Sequence, residues 1–406
     1  MVKCRACGTP VGSFMSFGQQ PIANRFITKD EVGSEYFFRM DVGVCPNCSL
    51  FQLIEQPDAS MMFHENYAFF SQTSKGMQAH FEDYASFVKE RYLDEPDPFV
   101  VEIGSNDGIM LRHFMRAGIR HLGIEPSGNV AEKARESSVD TLSAFFSVDT
   151  ATQIVDERGR ADVILAANVM CHIPDLNGVA RAAEKLLKPS GVLIFEDPYL
   201  GDVLQKTAYD QIYDEHVFLF SALSVSNTFR AHGFELIDCV PQSTHGGSMR
   251  YVLARRGCRP VSASVIARMK WENERGLTRP ETFEAFARAC ERSRNELVSA
   301  LSDLRSKGKT VAGYAATSKS TTVLNYCAIG PDLIAYISDT TPLKQGKLSP
   351  GMHIPIVAYD EFLASPPDYA VLFAWNHRAE VMAKETGYLA RGGKWIRFVP
   401  DVAVEN

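Results

Sequence analysis

Four cysteines near the N-terminus form two C-x₂-C pairs, Cys4 with Cys7 and Cys45 with Cys48. Each pair places two thiolates on one tight turn, where they can share one face of a tetrahedral Zn²⁺ ion. Because four sulfurs fill the coordination of that ion, the pattern predicts a structural zinc site that folds a small N-terminal module. Two disulfides or a redox-active pair are the alternatives, and the lack of a secretory leader favours zinc.

A turn of small and polar residues, Glu102-Ile-Gly-Ser-Asn-Asp-Gly108, follows a short apolar run. Its glycines would let a ligand approach the backbone, and Glu125, which ends the next predicted strand, could accept both hydroxyls of a ribose. A dinucleotide-binding turn reads G-x-G-x-x-G, but Asn106 and Ile109 occupy the second and third glycine positions. The segment instead resembles the turn of Rossmann-like S-adenosylmethionine-dependent methyltransferases. A nucleotide-free sheet whose glycines serve turns alone is the alternative.

The elements that would hold these residues are short apolar strands alternating with helical intervals, a pattern that indicates parallel, doubly wound sheets. The predicted strands of the central region are 99–104, 121–125, 161–167 and 192–196, with a closing β-pair at 234–240 and 249–254. An amphipathic helix over 280–307 leads to a second set of predicted strands, 310–315, 333–338, 369–373 and 395–398. The predicted fold class is therefore α/β, with two Rossmann-like domains behind the zinc-binding module.

The composition is that of an ordinary globular chain, and it argues against nucleic acids and membranes as partners. The 406 residues are 45% hydrophobic and 22% charged, which is typical of two or three domains. A net charge of -7 and the lack of clustered Lys and Arg in residues 1–60 argue against nucleic-acid binding. Since no apolar run has the length of a membrane span and no signal peptide is recognised, we expect a cytoplasmic protein without a membrane partner.

Further motifs follow the cysteine pairs and the methyltransferase turn in a fixed order. They are Asn168-Val-Met-Cys-His172, Glu196-Asp-Pro-Tyr199, Tyr213-Asp-Glu-His216, His245-Gly-Gly-Ser-Met-Arg250, Gly313-Tyr-Ala-Ala-Thr-Ser-Lys319, Pro350-Gly-Met-His-Ile-Pro355 and Ala374-Trp-Asn376. This arrangement resembles the three-domain sugar C-methyltransferases of deoxysugar and antibiotic biosynthesis, over almost the whole chain. The loop 313–319 departs from the family pattern, because it is less glycine-rich.

The resemblance implies that the enzyme transfers a methyl group from S-adenosylmethionine to the carbon beside the ketone of a nucleotide-linked 4-keto-6-deoxysugar. It fixes neither the nucleotide, the sugar nor the choice between carbons C3 and C5. It implies a zinc-binding module over residues 1–70, a methyltransferase domain over 71–255 and a nucleotide-sugar-binding domain over 256–406. We expect a monomer that acts on a small molecule.

Carbon methylation by a sulfonium requires a base for the proton α to the ketone and a donor for the enolate oxygen. His216 is the predicted base, since an imidazole with an ordinary pKa of about 6.5 is neutral through most of the physiological range. Tyr213 could donate to the enolate, Glu215 could orient the site, and His172 could be a second donor or the base itself. Tyr67 resembles a family tyrosine that reaches the same cleft. The alternatives are a packed helix face for Tyr213 and His216, a helix cap for His172 and a core aromatic with a satisfied hydroxyl for Tyr67.

The two ligand sites are predicted at the ends of strands. The cofactor is assigned to Glu102, Gly104, Asn106, Gly108, Glu125 and Asn168. The substrate is assigned to Gly313, Tyr314, Ala316, Lys319, Asp339, Lys344, Trp375, Asn376 and His245. In the second set, the amides and hydroxyls of Thr317 and Ser318 with the charge of Lys319 would hold a pyrophosphate. A domain that only supports the fold is the alternative.

Competing functions share parts of this pattern. A methyltransferase acting on another small molecule, or on RNA or protein with a structural zinc ribbon, would have the same cofactor turn. An RNA enzyme should also show a basic face in place of a second α/β domain. A dehydrogenase with a zinc lobe would need the glycine that Asn106 replaces.

Overall fold

The computed structural model of the chain describes residues 2–58 and 75–405, which form a two-stranded ribbon and three larger sheets. The N-terminal strands are β1 (Val2–Lys3), β2 (Pro10–Val11), β3 (Ser13–Pro21), β4 (Phe37–Val44) and β5 (Phe51–Leu53). Strands β1 and β2 form the antiparallel ribbon, and β3, β4 and β5 form an antiparallel sheet. The short strand Phe218–Leu219 pairs with β5, so the middle of the chain completes this sheet.

The N-terminal sheet has one buried face. Phe38, Met40 and Val42 alternate along β4 with more exposed residues and are buried, as expected for a strand that covers a core on one side only. That core also includes residues of helices from the C-terminal half, such as Phe283 and Leu324. The zinc-binding module is therefore packed into the rest of the molecule.

The central region is a seven-stranded sheet with helices around it. Its strands are β6 (Phe99–Ile103), β7 (Arg120–Ile124), β8 (Thr141–Leu142), β9 (Ala161–Ala167), β10 (Leu187–Pro198), β12 (Phe234–Gln242) and β13 (Ser248–Arg255), while β11 is Phe218–Leu219. Its helices are α1 (Lys75–Tyr92), α2 (Leu111–Arg116), α3 (Gly128–Glu136), α4 (Val148–Arg158), α5 (Leu176–Leu186), α6 (Leu200–Lys206) and α7 (Ala222–Arg230). The spatial order is β12-β13-β10-β9-β6-β7-β8.

Strand direction in this sheet defines a ligand crevice. Strands β10, β9, β6, β7 and β8 are parallel, and β13 and β12 close the sheet in antiparallel fashion. All five residues of β6 are buried, as in a central parallel strand that is covered on both faces. The chain order reverses between β6 and β9, and ligands of open α/β sheets bind beyond the carboxyl ends of strands at such a point.

The C-terminal region contains a second sheet of the same type. Two helices, α8 (Ala263–Glu274) and α9 (Pro280–Ser306), lead into it. The remaining elements are β14 (Val311–Tyr314), α10 (Ser318–Cys327), β15 (Ile337–Asp339), β16 (Ile356–Ala358), α11 (Tyr359–Ala364), β17 (Tyr369–Leu372), α12 (Arg378–Lys384), α13 (Thr386–Ala390), β18 (Lys394–Arg397) and β19 (Ala403–Glu405). The order is β16-β15-β14-β17-β18-β19, and only β19 is antiparallel to its neighbour. Here the chain order reverses between β14 and β17.

The predicted α/β fold class is confirmed. The predicted strands and the closing β-pair coincide with observed strands to within a few residues, with two exceptions. The strand expected over 192–196 is part of the longer β10, and the strand expected over 333–338 begins only at Ile337. Among residues 2–58 and 75–405, no helix combines the length and the apolar character that a bilayer crossing requires.

Candidate active site

The four N-terminal cysteines converge as predicted. Their Sγ atoms all lie within 4.8 Å of one another, and the Sγ atoms of Cys4 and Cys48 are 3.5 Å apart. The turns of the two cysteine pairs contain the same backbone hydrogen bond. Gly8 N donates to Cys4 O and Ser49 N donates to Cys45 O, both at 2.9 Å. Tetrahedral Zn²⁺ with Zn–S bonds of about 2.3 Å would place the sulfurs about 3.8 Å apart, so the cluster fits that ion. Disulfides, with sulfurs about 2 Å apart, do not fit.

The turn after β6 has the shape of a cofactor cradle. Gly104 and Gly108 adopt φ values of +63° and +77°, and Asn106 has a φ of +49°. A Cβ atom on Gly104 would lie 2.5 Å from Cγ2 of Val169, so no larger residue fits there. Gly104 therefore lets the loop after β6 pack closely against Val169, at the point where the chain order of the sheet reverses.

Acidic and amide side chains surround this turn. The Glu125 carboxylate accepts hydrogen bonds from Asn106 N at 3.0 Å and from Ser127 N at 2.8 Å. Glu102 Oε2 and Asn168 Oδ1 are buried without a hydrogen-bond partner among the residues that the structure describes. Burial raises the pKa of both Glu102 and Glu125. Buried polar atoms that lack partners at a ligand edge fit a polar cofactor such as S-adenosylmethionine.

Tyr213 and His216 form a buried pair after the single-turn helix Tyr209–Gln211. His216 Nδ1 lies 2.7 Å from the carbonyl oxygen of Gln211, which can only accept, so Nδ1 carries the proton. His216 Nε2 then accepts from the Tyr213 hydroxyl, also at 2.7 Å. Burial lowers the pKa of His216 well below its ordinary value, with a further contribution from His172. The imidazole is therefore neutral, with a lone pair on Nε2, at physiological pH.

His172 lies against the same imidazole. It ends the single-turn helix Met170–His172 after β9, and its ring is stacked on that of His216 with centroids 5.2 Å apart. Burial lowers the pKa of His172 to about 4. The two neutral rings bring the predicted base and its predicted alternative into one site at the carboxyl edge of the central sheet.

Glu215 also belongs to this site, and a residue of the zinc-binding module holds it. Its Oε1 accepts from Nδ2 of Asn24 at 2.6 Å. Burial raises the pKa of Glu215 to about 7. Asn24 was not predicted, because a single asparagine in a loop carries no periodic or spacing signal.

A second group of predicted ligand residues, whose location we call the second crevice, lies where the C-terminal domain meets the central one. Lys319, on the first turn of α10, places Nζ 5.9 Å from the ring centroid of Trp375. Trp375 Nε1 donates to Oδ2 of the buried Asp210 at 2.6 Å and covers the turn that contains His245 and Gly246. Burial lowers the pKa of Lys319 to about 8, while Asp210 acts in the opposite direction. The structure thus brings Lys319, Trp375 and His245 together, and Asp210 is a residue that the sequence did not reveal.

Asp339 and Lys344 brace the loop after β14. Asp339 accepts from Ala316 N and from Thr341 N, both at 2.7 Å. Lys344 Nζ donates to the carbonyl oxygen of Ala316 at 2.7 Å. These predicted substrate residues therefore lie together, at the carboxyl edge of the second sheet.

Other predicted residues do not reach a crevice with their side chains or lie outside the described residues. The Tyr314 hydroxyl donates to Glu385, and its ring packs against Trp395 in an aromatic core. A Cβ on Gly313 would meet Phe373 at 2.7 Å, so this glycine serves strand packing. Asn376 follows Trp375 in a single-turn helix, half-buried. Tyr67 lies outside the described residues.

The chain matches three protein families in succession. They are a zinc binding domain over residues 4–63, a methyltransferase domain over 76–238 and the C-methyltransferase C-terminal domain over 243–400. The C-methyltransferase NovU of Streptomyces niveus is 33% identical over 99% of this chain and 96% of its own length. A ubiquinone biosynthesis O-methyltransferase of Rhodopseudomonas palustris (strain HaA2) is 29% identical over 23% of this chain and 38% of its own.

Two solved structures that the chain resembles each match slightly less than half of it. The CcbJ methyltransferase from Streptomyces caelestis matches with a TM-score of 0.36 and 14% identity, over 47% of this chain and 96% of that one. The PH0226 protein from Pyrococcus horikoshii matches with a TM-score of 0.37 and 14% identity, over 47% and 95%.

Proposed function

The chain belongs to the C-methyltransferase family that includes NovU and is an S-adenosylmethionine-dependent enzyme with a zinc-binding domain, and from this premise we propose its substrate and mechanism. The methyl group goes to the carbon beside the ketone of a nucleotide-linked 4-keto-6-deoxysugar. The observation that carries this proposal is the Tyr213–His216 pair, a neutral imidazole hydrogen-bonded to a phenol and stacked on His172.

The base is Nε2 of His216. Its lone pair takes the proton α to the ketone, and the electrons of the C–H bond move into the carbonyl group to give an enolate. Nδ1–H stays bonded to the carbonyl oxygen of Gln211, which stabilises the imidazolium that forms. The Tyr213 hydroxyl, which occupies Nε2 before substrate binds, turns to donate to the enolate oxygen.

The other catalytic residues support the same step. His172, stacked on the base, is the second donor at the enolate, or the base if His216 is not. Glu215 orients the site, and Tyr67 completes the catalytic set that we propose. S-adenosylmethionine, held by the Glu102–Gly108 turn with Glu125 on its ribose, supplies an electrophilic methyl group.

The substrate nucleotide belongs in the second crevice. Lys319 provides positive charge for the diphosphate, and Asp339 accepts from the ribose hydroxyls. Trp375, Asn376 and His245 border the sugar, with Lys344 holding the loop that carries Ala316. Gly313 and Tyr314 support this site indirectly, Gly313 by its packing in strand β14 and Tyr314 by its packing in the aromatic core. The charge of -7 supports a small-molecule substrate over a nucleic acid, and we propose a cytoplasmic monomer.

Incubation of the enzyme with S-adenosylmethionine and a panel of nucleotide-linked 4-keto sugars tests the substrate class, with mass spectrometry and NMR on any methylated product. His216→Asn should bind both ligands yet lose methyl transfer together with solvent exchange of the α-proton, because both pass through the enolate. Tyr213→Phe should cost less, since the base remains.

Two outcomes would change the proposal. If no 4-keto sugar is methylated while another small molecule, an RNA or a protein is, the substrate class is wrong. A His216→Asn enzyme that still exchanges deuterium at the normal rate, while His172→Asn does not, would transfer the role of base to His172.

A further inference from the structure

A loop of the zinc-binding module reaches the active site. After β3 the chain continues through Ala23, whose backbone N–H donates to Asp214 Oδ1 at 3.0 Å. The carbonyl oxygen of the same residue accepts from the Thr321 hydroxyl at 2.9 Å. Ala23 is buried between the loop that carries His216 and helix α10. The backbone next to Asn24 is therefore fixed by both other domains.

The amide of Asn24 bridges those two domains with its side chain. Nδ2 donates to Glu215 Oε1 at 2.6 Å, and Oδ1 accepts from the Ser318 hydroxyl at 3.2 Å. The opposite amide orientation would place an oxygen against a carboxylate, so the donor must face Glu215. Asn24 itself is exposed, whereas Glu215 is buried. The amide thus covers the carboxylate on its solvent side.

Glu215 precedes the proposed base directly, and its charge depends on few groups. Asp214 and His216 flank it in the chain. Besides burial, the Glu215 charge contributes to raising the pKa of Cys171, and Lys344 interacts with Glu215 electrostatically from the C-terminal domain. Burial raises the pKa of Glu215, while the Asn24 amide and Lys344 oppose that effect. Loss of the amide donor would leave Lys344 as the main group that favours the carboxylate.

We propose that Asn24 is a positioning residue, through which the zinc-binding module holds Glu215 as an oriented carboxylate beside His216. This inference rests on the proposed function, because it takes the Tyr213–His216 site as the catalytic one. It assigns the module a part in the reaction in addition to its structural zinc. The Cys171 thiol, on whose pKa the Glu215 charge acts, lies within 4.8 Å of ring nitrogens of His172 and His216. A negative charge near this cluster stabilises an imidazole that gains a proton, so the base works best while Glu215 stays ionised.

Asn24→Ala and Asn24→Asp test the inference, with Asn177→Ala as the matched control. Asn177 also joins the zinc-binding module to the central domain, through Nδ2 and the carbonyl oxygens of Arg5 and Ala6, but away from the site. Asn24→Ala should lower kcat about tenfold with unchanged KM values, and it should move the acid limb of the kcat profile up by about one pH unit.

Asn24→Asp should shift the acid limb further in the same direction. An exposed aspartate is a stronger acid than the buried Glu215, whose pKa is already raised to about 7, so the aspartate stays ionised and its charge opposes ionisation of Glu215. Its activity should therefore fall below that of Asn24→Ala at neutral pH and recover only as the pH rises, while Asn177→Ala keeps the wild-type profile. The inference is overturned if Asn24→Ala matches Asn177→Ala, or if it raises only the KM for the sugar, which would indicate a substrate contact.

A second measurement needs no substrate and keeps this inference separable from the proposed function. Infrared titration of the free enzyme, with Glu215→Gln as reference, follows the protonated carboxyl band. Asn24→Ala should shift that titration up by about one pH unit relative to both wild type and Asn177→Ala. An unshifted titration refutes the inference even in an active enzyme. A shifted titration supports the contact even if no 4-keto sugar is methylated, a result that would refute the proposed function alone.

Discussion

The two parallel sheets repeat one arrangement at their carboxyl edges. In the central sheet Glu125, just after β7, accepts from the backbone N–H of Asn106 in the loop after β6. In the C-terminal sheet Asp339, at the end of β15, accepts from the backbone N–H of Ala316 in the loop after β14. Both acids lie beside the point where the chain order reverses. Each sheet therefore presents an acid at its carboxyl edge, an arrangement that supports our proposal of two ligands per chain.

The loops at these two edges differ in what they leave free. After Gly104 the chain makes several turns before α2 begins at Leu111, whereas α10 begins at Ser318, soon after β14 ends. Thr317 caps α10, since its hydroxyl accepts from Ser320 N and its N–H donates to the Ser320 hydroxyl. The Thr317 hydroxyl, which we predicted to contact a pyrophosphate, accepts a hydrogen bond within this cap. The first crevice can hold its ligand by the backbone, and the second depends on side chains such as Lys319.

Loss of zinc should have the largest effect and should not distinguish the two crevices. Cys45→Ser removes one of four ligands, and because the free energy of metal binding is free energy of folding, unfolding should become easier by several kcal/mol. The module contacts both domains through Ala23 and Asn24, so affinity for both ligands should fall. Metal analysis, thermal unfolding and calorimetry check this. A zinc-free protein with unchanged stability would contradict it.

Gly104→Ala should damage the first crevice alone. The left-handed backbone costs a Cβ-bearing residue about 1–2 kcal/mol, and contact with Val169 adds about 1–3 kcal/mol. Affinity for S-adenosylmethionine should fall at least tenfold, and the melting temperature should drop. Binding of a nucleoside diphosphate, measured on the same protein, serves as control and should be unchanged. Equal losses for both ligands would show that the crevices are not independent.

Replacement of each acid by alanine should weaken the binding of a different ligand. Glu125→Ala should weaken S-adenosylmethionine by about 1.5–3 kcal/mol, the range for a hydrogen bond to a charged group. Asp339→Ala should weaken the nucleotide sugar by a similar amount and leave the cofactor unaffected. Calorimetry with each ligand on each variant checks this. If Asp339→Ala binds the nucleotide normally, the two sheets share a fold, but their acids do not share a role in ligand binding.

Sequence could predict what depends on local pattern. The parallel strands are buried on both faces, so they read as continuous apolar runs, and β6 and β9 were found within a residue. The zinc site followed from cysteine spacing alone, because two tight turns bring the thiolates together. Gly104 and Glu125 followed from the order of strand, turn and strand.

Contacts between distant segments could not be predicted from pattern. The pairing of Phe218–Leu219 with β5 joins two short strands from different regions, and neither has enough length to show a period. The Asn24–Glu215 and Trp375–Asp210 contacts join single polar residues across domains. Tyr314 was assigned to a ligand because it ends a strand, but alternation along β14 directs its ring into the aromatic core.

Substrate binding in the second crevice should depend on pH. The pKa of Lys319 is lowered to about 8, so its cation is present below that pH and is lost above it. Affinity for a nucleotide-linked diphosphate should therefore fall by up to about tenfold per pH unit above pH 8, since one ionic contact is lost. Cofactor affinity should stay constant over that range. Lys319→Met should bind weakly with no pH dependence from pH 7.5 to 9.5, and a variant that keeps the slope would assign it to another group.

Ala315→Gly should have the smallest effect and tests the difference between the loops directly. Ala315 N donates to Ser338 O as Gly104 N donates to Ile124 O, and Ala315 also has a positive φ, of +72°. Glycine would relieve about 1–2 kcal/mol of left-handed strain but would give the unfolded chain about 0.4–1 kcal/mol more freedom. Stability should therefore change by less than about 1.5 kcal/mol and nucleotide affinity by less than about threefold, as denaturant unfolding and calorimetry would show. A loss as large as that of Gly104→Ala would mean that the Ala315 methyl group contacts the ligand, so that this loop would shape the second crevice together with side chains such as Lys319.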